Sequence, residues 1–106
     1  MGVYINEFAQ PVGELLDNWQ APSFPPQRVL AGWDCRVEPL NPAQHGADLW
    51  VAFAADDGRL WTYFSDGPFS ERAEFLASLA QRAQAKDPQY YANVDASSGQ
   101  ALGLAA

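Results

Sequence analysis

The sequence has few of the residues on which most recognisable catalytic and metal sites depend. Among its 106 residues there is one cysteine and one histidine. A single cysteine excludes an internal disulfide, and the first residues lack the basic stretch and apolar core of a secretory leader. These two features lead us to expect a cytoplasmic location.

Long apolar runs and clusters of basic residues are also missing. No run approaches the ~18 apolar residues of a transmembrane helix, so we expect no membrane partner. The formal net charge is −7, and scattered cations under such a charge exclude an ordinary nucleic-acid footprint. The acidity suits a cationic partner such as a peptide amine or a polyamine, but it equally suits a surface kept soluble by negative charge.

The two rare residues do not form a site by themselves. Around His45 no Cys, Asp or Glu stands at metal-ligand spacing, so no metal site is predicted, and a surface or boundary position in a helix is expected. Cys35 lies on a predicted strand and is expected to be a small buried hydrophobe. One histidine without a nucleophile elbow permits no Ser/His/Asp triad. We therefore predict no catalytic residue.

The sequence is rich in apolar residues. Hydrophobic residues make up 48% of the chain and aromatic residues 13%, a composition that is typical of a folded domain. Prolines and glycines recur through residues 1–34, so this segment is predicted to be an extended arm that lies over a hydrophobic surface of this chain or of a partner. Residues 35–106 are predicted to form the domain itself.

Two helices are predicted in that domain. Asn41 is suited to cap a helix that begins at Pro42 and runs to about residue 55. A second helix is expected over 71–85, because apolar residues recur at helical spacing after an N-cap at Ser70. Between them, the aromatic run 60–64 is predicted to be a loop or a single helical turn. Its rings either belong to the core or wall a ligand cleft.

Strands are predicted on both sides of the helices. Residues 35–40 alternate between apolar and polar side chains, and a β-hairpin is expected from residues 90–95, a turn at 96–99 and residues 100–106. An apolar strand with an unpaired outer edge invites another strand. The expected partner is therefore a second copy of this chain or another protein that pairs with the terminal strand.

Several segments together resemble the GNAT superfamily of acetyltransferases, in the branch related to ribosomal-protein N-terminal acetyltransferases. They are Gln10-Pro11-Val12-Gly13, Arg28-Val29-Leu30-Ala31-Gly32, Cys35-Arg36-Val37-Glu38-Pro39-Leu40-Asn41-Pro42-Ala43-Gln44-His45, Leu60-Trp61-Thr62-Tyr63 and Gly67-Pro68-Phe69. The resemblance implies a partial GNAT-like α+β fold, with antiparallel strands, two helices and the extended arm. It also implies that the chain is the N-terminal half of the domain, without the strand and helix that hold acetyl-CoA in complete members.

The resemblance further implies acetyl transfer from acetyl-CoA to an amine that attacks the thioester directly. It places five residues near the acceptor: Trp61, Tyr63, Gly67, Pro68 and Phe69. Before Gly67-Pro68-Phe69, where relatives often carry a Pro-Tyr pair, this chain has Phe64-Ser65-Asp66. That loop borders the acceptor pocket in the family, so the resemblance does not identify the acceptor.

A cofactor motif of the family also occurs in the terminal strand. Gln100, Gly103 and Ala105 match a Gln-x-x-Gly-x-Ala pattern, but they lie in a predicted hairpin strand with no helix after it, so we expect a chance match and no binding of acetyl-CoA by this chain alone. The alternative function is a non-catalytic dimerisation or protein-binding module built on the half-fold. A small-ligand-binding domain is a third possibility.

Overall fold

The computed structural model describes residues 2–106. The elements in chain order are β1 Tyr4–Ile5, β2 Pro11–Val12, β3 Leu30–Ala31, β4 Cys35–Pro39, α1 Pro42–Ala54, a 3-10 turn Arg59–Trp61, α2 Arg72–Gln84, β5 Tyr91–Asp95 and β6 Ala101–Ala105. None of the helices in the described residues is long and apolar enough to cross a membrane.

Strands β3 to β6 form one antiparallel sheet in chain order. Strand β4 pairs with β5 from Cys35 opposite Asp95 to Pro39 opposite Tyr91, although both helices separate them in sequence. The predicted α+β fold is confirmed. Strand β3 joins the sheet through two residue pairs with β4, within the segment predicted as arm.

Helix α1 begins as its sequence predicts. The Asn41 side chain accepts a hydrogen bond from the Ala43 N–H at 3.1 Å, which supplies an acceptor to a donor that the helix leaves unpaired. Pro42 occupies the first turn, where its missing N–H costs nothing. Further along, the Asp48 carboxylate accepts from the Ala101 N–H at 3.2 Å. This bond ties the helix to β6.

Helix α2 begins one residue later than predicted. Its N-cap is Glu71 rather than Ser70, and no side chain bonds the free backbone N–H groups there. The backbone of Glu71 is extended, and its carbonyl accepts from the Phe75 N–H at 3.2 Å. Glu74 lies in the first turn, where a negative charge favours the helix dipole.

The core lies between the two helices and one face of the sheet. On β5, Ala92 and Val94 are buried while Asn93 between them is not, as the two-residue period of a strand requires. Leu49 from α1 and Leu79 from α2 pack against that face without exposed surface. The buried hydrophobic residues are Leu40, Leu49, Phe75, Leu79, Ala92, Val94 and Ala101.

The arm extends away from this core. Its strands β1 and β2 form a hairpin whose turn is held by Asn6, which accepts from the Phe8 and Gln10 N–H groups at 3.0 Å each. The radius of gyration is 19.7 Å, whereas a compact chain of this length has about 13 Å. Within the described residues, a hydrogen bond from Gln89 to the Pro25 carbonyl at 2.7 Å links arm to domain.

The apolar side chains of the arm are exposed, so the expectation that they cover a surface of this chain is wrong. They are Val3, Tyr4, Ile5, Phe8, Val12, Leu15, Leu16, Trp19 and Phe24. The surface of a partner remains a prediction for this segment.

His45 and Cys35 exchange the environments expected for them. His45 is 3% exposed; its Nδ1 accepts from the Asn41 N–H at 3.0 Å, and its Nε2 donates to Glu38 at 2.7 Å. The ring is buried because both nitrogens have partners. Cys35 is an exposed free thiol, since it is the first residue of β4 and β3 pairs with that strand only at Arg36 and Val37.

The hydrogen bonds from His45, and then from Arg36, hold the pKa of Glu38 below its ordinary value of 4.5. A carboxylate with a lowered folded pKa stabilises the protein fully above the unfolded pKa. That contribution is lost as the pH falls through the lowered folded value. Stability on the acid side therefore depends in part on this half-buried carboxylate.

Glu38→Gln should lower the free energy of unfolding at pH 7 by about 1 kcal/mol, because a charge-assisted hydrogen bond to His45 becomes a neutral one. The difference from the wild type should shrink at pH 3, below the ordinary glutamate pKa of 4.5, because the contribution of a carboxylate with a lowered folded pKa is lost as the pH falls. Urea unfolding at both pH values measures it. Glu7→Gln, at an exposed acid, is the control that should show no difference. Equal losses at the two pH values would contradict the assignment.

Candidate functional site

The loop that connects α1 to α2 folds back against both helices. Asp56 accepts from the Gly58 N–H at 2.8 Å and from the Leu60 N–H at 3.1 Å. Gly58 has a φ of +103°, a conformation that glycine adopts without steric cost. These two features turn the chain into the 3-10 helix that carries Trp61.

Aromatic rings join this loop to the core. Phe75, which is buried, contacts Trp50, Phe53 and Phe69 at ring-centroid distances of 5.6, 5.7 and 5.8 Å. Trp61 continues the series, at 5.8 Å from Phe53 and 5.5 Å from Phe69. Most of these pairs meet edge to face, an arrangement that aromatic rings prefer. The loop is therefore held in place by ring packing on α1 and α2.

Trp61 separates two cavities. The smaller has a volume of about 200 Å³ and is lined by Trp50, Phe53, Ala54, Asp56, Gly58, Trp61, Pro68, Phe69, Ser70 and Phe75. The larger has a volume of about 420 Å³ and is lined by Phe53, Leu60, Trp61, Phe64, Ser65, Asp66, Arg82, Tyr90, Gly103, Leu104, Ala105 and Ala106. It lies between the loop, α2 and the end of β6.

One ion pair lies in the wall of the larger cavity. Arg82 Nη2 donates to Asp66 Oδ2 at 2.6 Å, and its Nη1 donates to the Ser78 hydroxyl. The guanidinium carbon lies 5.7 Å from the centroid of the Tyr90 ring, within the range of a cation–π contact. Asp66 and Arg82 are the charged side chains among the residues that line this cavity.

The structure gathers four of the five residues predicted near an acceptor. Trp61 borders both cavities, and Pro68 and Phe69 line the smaller one. Gly67 lies against the indole of Trp61, where an added Cβ would come within 2.5 Å of the ring. Tyr63 is 98% exposed and lines neither cavity. Contact of these residues with an acceptor remains a prediction.

The motif formed by Gln100, Gly103 and Ala105 lies in and just before β6. Gly103 pairs with Asn93 and Ala105 with Tyr91, and the Gln100 carbonyl accepts from the Asp95 N–H at 2.9 Å. Within residues 2–106 no helix follows β6. These residues therefore do not provide the free N–H groups of a helix N-terminus, on which phosphate binding depends. Gly103 and Ala105 border the larger cavity instead.

Sequence reasoning missed the cluster of Asp66, Ser78 and Arg82. Ser78 and Arg82 stand four residues apart on α2, a spacing that places side chains on the same face of a helix. That spacing was the available signal. Nothing in the sequence shows that the loop brings Asp66 to the same point. In the described part of the chain, no three His, Cys, Asp or Glu side chains are grouped so as to hold a metal ion.

Comparison with solved structures identifies the class of protein that this fold resembles. A GCN5-related N-acetyltransferase from Brucella melitensis matches 84% of this chain with a TM-score of 0.74 and 32% sequence identity. A probable acetyltransferase of the GNAT family from Chromobacterium violaceum matches 90% with a TM-score of 0.70 and 30% identity. The fold is thus GNAT-like over most of this chain, and the similarity supports the GNAT superfamily.

The chain spans less than half of each of these structures, 41% of the first and 48% of the second. No protein-family model matches the chain, and no curated protein is similar to it. The activity of a whole acetyltransferase is therefore a proposal for this chain.

Gly67→Ala should destabilise the protein more than Gly99→Ala does. Both glycines have positive φ, +82° and +73°, but only Gly67 has a neighbour in the way. Gly99→Ala should cost about 1 kcal/mol for its backbone conformation. Gly67→Ala should cost about 1–3 kcal/mol more, because the new methyl group displaces the Trp61 ring. Urea unfolding measures both, and equal costs would show that Trp61 does not pack on Gly67.

Proposed function

We propose that residues 28–106 form the acceptor-side part of a GNAT N-acetyltransferase of the branch related to ribosomal-protein N-terminal acetyltransferases. The supporting observation is the match to two GNAT structures at 32% and 30% identity over most of this chain. Because the match spans less than half of those structures, the proposal assigns the acetyl-CoA-binding elements to sequence outside these residues. The location proposed is the cytoplasm, where a single exposed thiol remains reduced.

The described residues do not fit acetyl-CoA by themselves. Strand β6 pairs with β5 on one side. Within residues 2–106 no helix follows β6, so no helix N-terminus is present there to bind the pyrophosphate. In the complete enzyme, acetyl-CoA supplies the thioester that an amine attacks. This chain would hold that amine: the rings of the loop exclude water and limit its orientation, which is a contribution of positioning.

None of the five predicted acceptor-pocket residues is suited to remove the proton of the amine. Trp61, Gly67, Pro68 and Phe69 carry no basic group, and the phenol of Tyr63 is on the surface. His45 is buried with both nitrogens bonded. We therefore assign proton removal to none of these six residues.

A chimera tests the proposal. Residues 2–106 would be fused to the part of the Brucella melitensis acetyltransferase that this chain does not match. We expect the chimera to bind acetyl-CoA in calorimetric titration and this chain alone not to bind it. Acetylation of added peptide amines would then be measured by release of free CoA thiol. The unmatched part alone is the control.

Two results would contradict this proposal. A folded chimera without affinity for acetyl-CoA would show that the two parts do not form one site. Micromolar binding by residues 1–106 alone would assign the cofactor to Gln100, Gly103 and Ala105, and would overturn the division into halves.

The arm favours a second candidate function, a non-catalytic dimerisation or protein-binding module. Nine exposed apolar side chains project from the domain in the stretch Val3 to Phe24, far more than a free segment of a soluble protein usually carries. In addition, β6 has a neighbour only on its β5 side among the described strands, so its outer edge is open to another strand. A second copy of this chain is the partner that we propose.

Replacing two arm side chains should weaken such association. The double variant Phe8→Ser and Trp19→Ser removes apolar groups that are 73% and 66% exposed, so it should shift the mass measured by light scattering from dimer to monomer. Val51→Ser, at a 70% exposed position on α1, is the matched control and should leave the mass unchanged. A monomeric wild type at high concentration would contradict this second function.

A further inference from the structure

We propose that the larger cavity takes an acceptor whose primary amine is carried on an apolar group, and that Asp66 is the counter-ion of that amine. This inference rests on the proposed acceptor role of the loop and names the class of molecule bound there. Asp66 takes no part in the ring packing that holds the loop in place.

The size and lining of the cavity suit an apolar group. Its volume of about 420 Å³ falls within the range of about 300–1,000 Å³ that is typical of small-molecule sites. Phe53, Trp61, Phe64 and Leu104 form its apolar walls. An aromatic or branched aliphatic group of the ligand would displace water from these side chains, which is favourable.

The polar groups of the cavity leave one carboxylate oxygen available. Asp66 Oδ2 accepts from Arg82 and, at 3.5 Å, from the Ser78 hydroxyl. Among the described residues no hydrogen bond is made to Asp66 Oδ1, although an ionised carboxylate can accept about four hydrogen bonds. The side chain is 39% exposed. An ammonium group can therefore reach Oδ1 without breaking the pair with Arg82.

Three observations favour a cation over an anion. Arg82 already donates to Asp66 and to Ser78, and the Tyr90 ring lies against its guanidinium, so its positive charge is offset in part within the protein. The faces of Trp61 and Tyr90 attract positive charge. The net charge of −7 raises the local concentration of cations. Because Arg82 offsets part of the charge of Asp66, the selectivity for an amine should be about tenfold.

Calorimetry with two small probes of the same shape tests the inference without acetyl-CoA. Phenethylamine carries the cation, and 2-phenylethanol has a hydroxyl in its place. The whole chain at pH 7 should bind the amine about tenfold more tightly than the alcohol. Asp66→Asn should bind both probes equally and keep the affinity for the alcohol. Asp57→Asn changes an acid of the same loop that does not line the cavity, and it should keep the preference of the wild type.

The comparison of the two probes on the wild type needs no variant, so it tests the inference even if Asp66→Asn does not fold. Equal affinities of the wild type for the two probes, absence of binding, or an amine preference that persists in Asp66→Asn would each overturn it. Failure of the proposed acetyl transfer is distinguishable. In that case phenethylamine binds through Asp66 while the chimera releases no CoA thiol in its presence.

Discussion

The packing of Phe75 connects the core of this protein to the loop that forms its candidate site. The ring lies in the first turns of α2, is almost fully buried, and meets Trp50 and Phe53 from α1 and Phe69 from the loop. Trp61 is held in turn by Phe53 and Phe69. Because protein interiors are close-packed, the position of each ring constrains the next. Both cavities depend on this series of contacts.

Polar interactions add charged groups and further hydrogen bonds to the framework of packed aromatic rings. Asp66, Ser78 and Arg82 introduce the charged groups of the larger cavity, and the bond between Asp48 and the Ala101 N–H fixes β6, which forms the opposite wall. The pair of buried His45 and half-buried Glu38 lies at the junction of β4 and α1. In each case a side chain supplies a hydrogen-bond partner to a group in another segment of the chain.

Much of the architecture could be predicted from local patterns. Asn41 followed by Pro42 predicts the start of α1 because the N-cap acts through the nearest backbone N–H groups. The aromatic and β-branched residues in 90–95 and the turn at 96–99 predict the terminal hairpin for the same local reason. The predicted start of α2 was wrong by one residue. Ser70 has the side chain of a typical N-cap, but the residue with extended backbone immediately before the helix is Glu71. Cys35 was misjudged because its exposure depends on how far β3 extends along β4.

By itself the sequence predicted the α+β fold and the order β4, α1, α2, β5 and β6, because propensity, capping and periodicity act over a few residues. It left residues 60–64 as a loop or a single helical turn. Only the tertiary structure decided that His45 is buried on Glu38 and that the arm exposes its apolar residues. It also decided that Asp66 meets Arg82 across sixteen residues. These outcomes depend on distances between segments far apart in the chain, and those distances are determined when the rings of α1, α2 and the loop pack together.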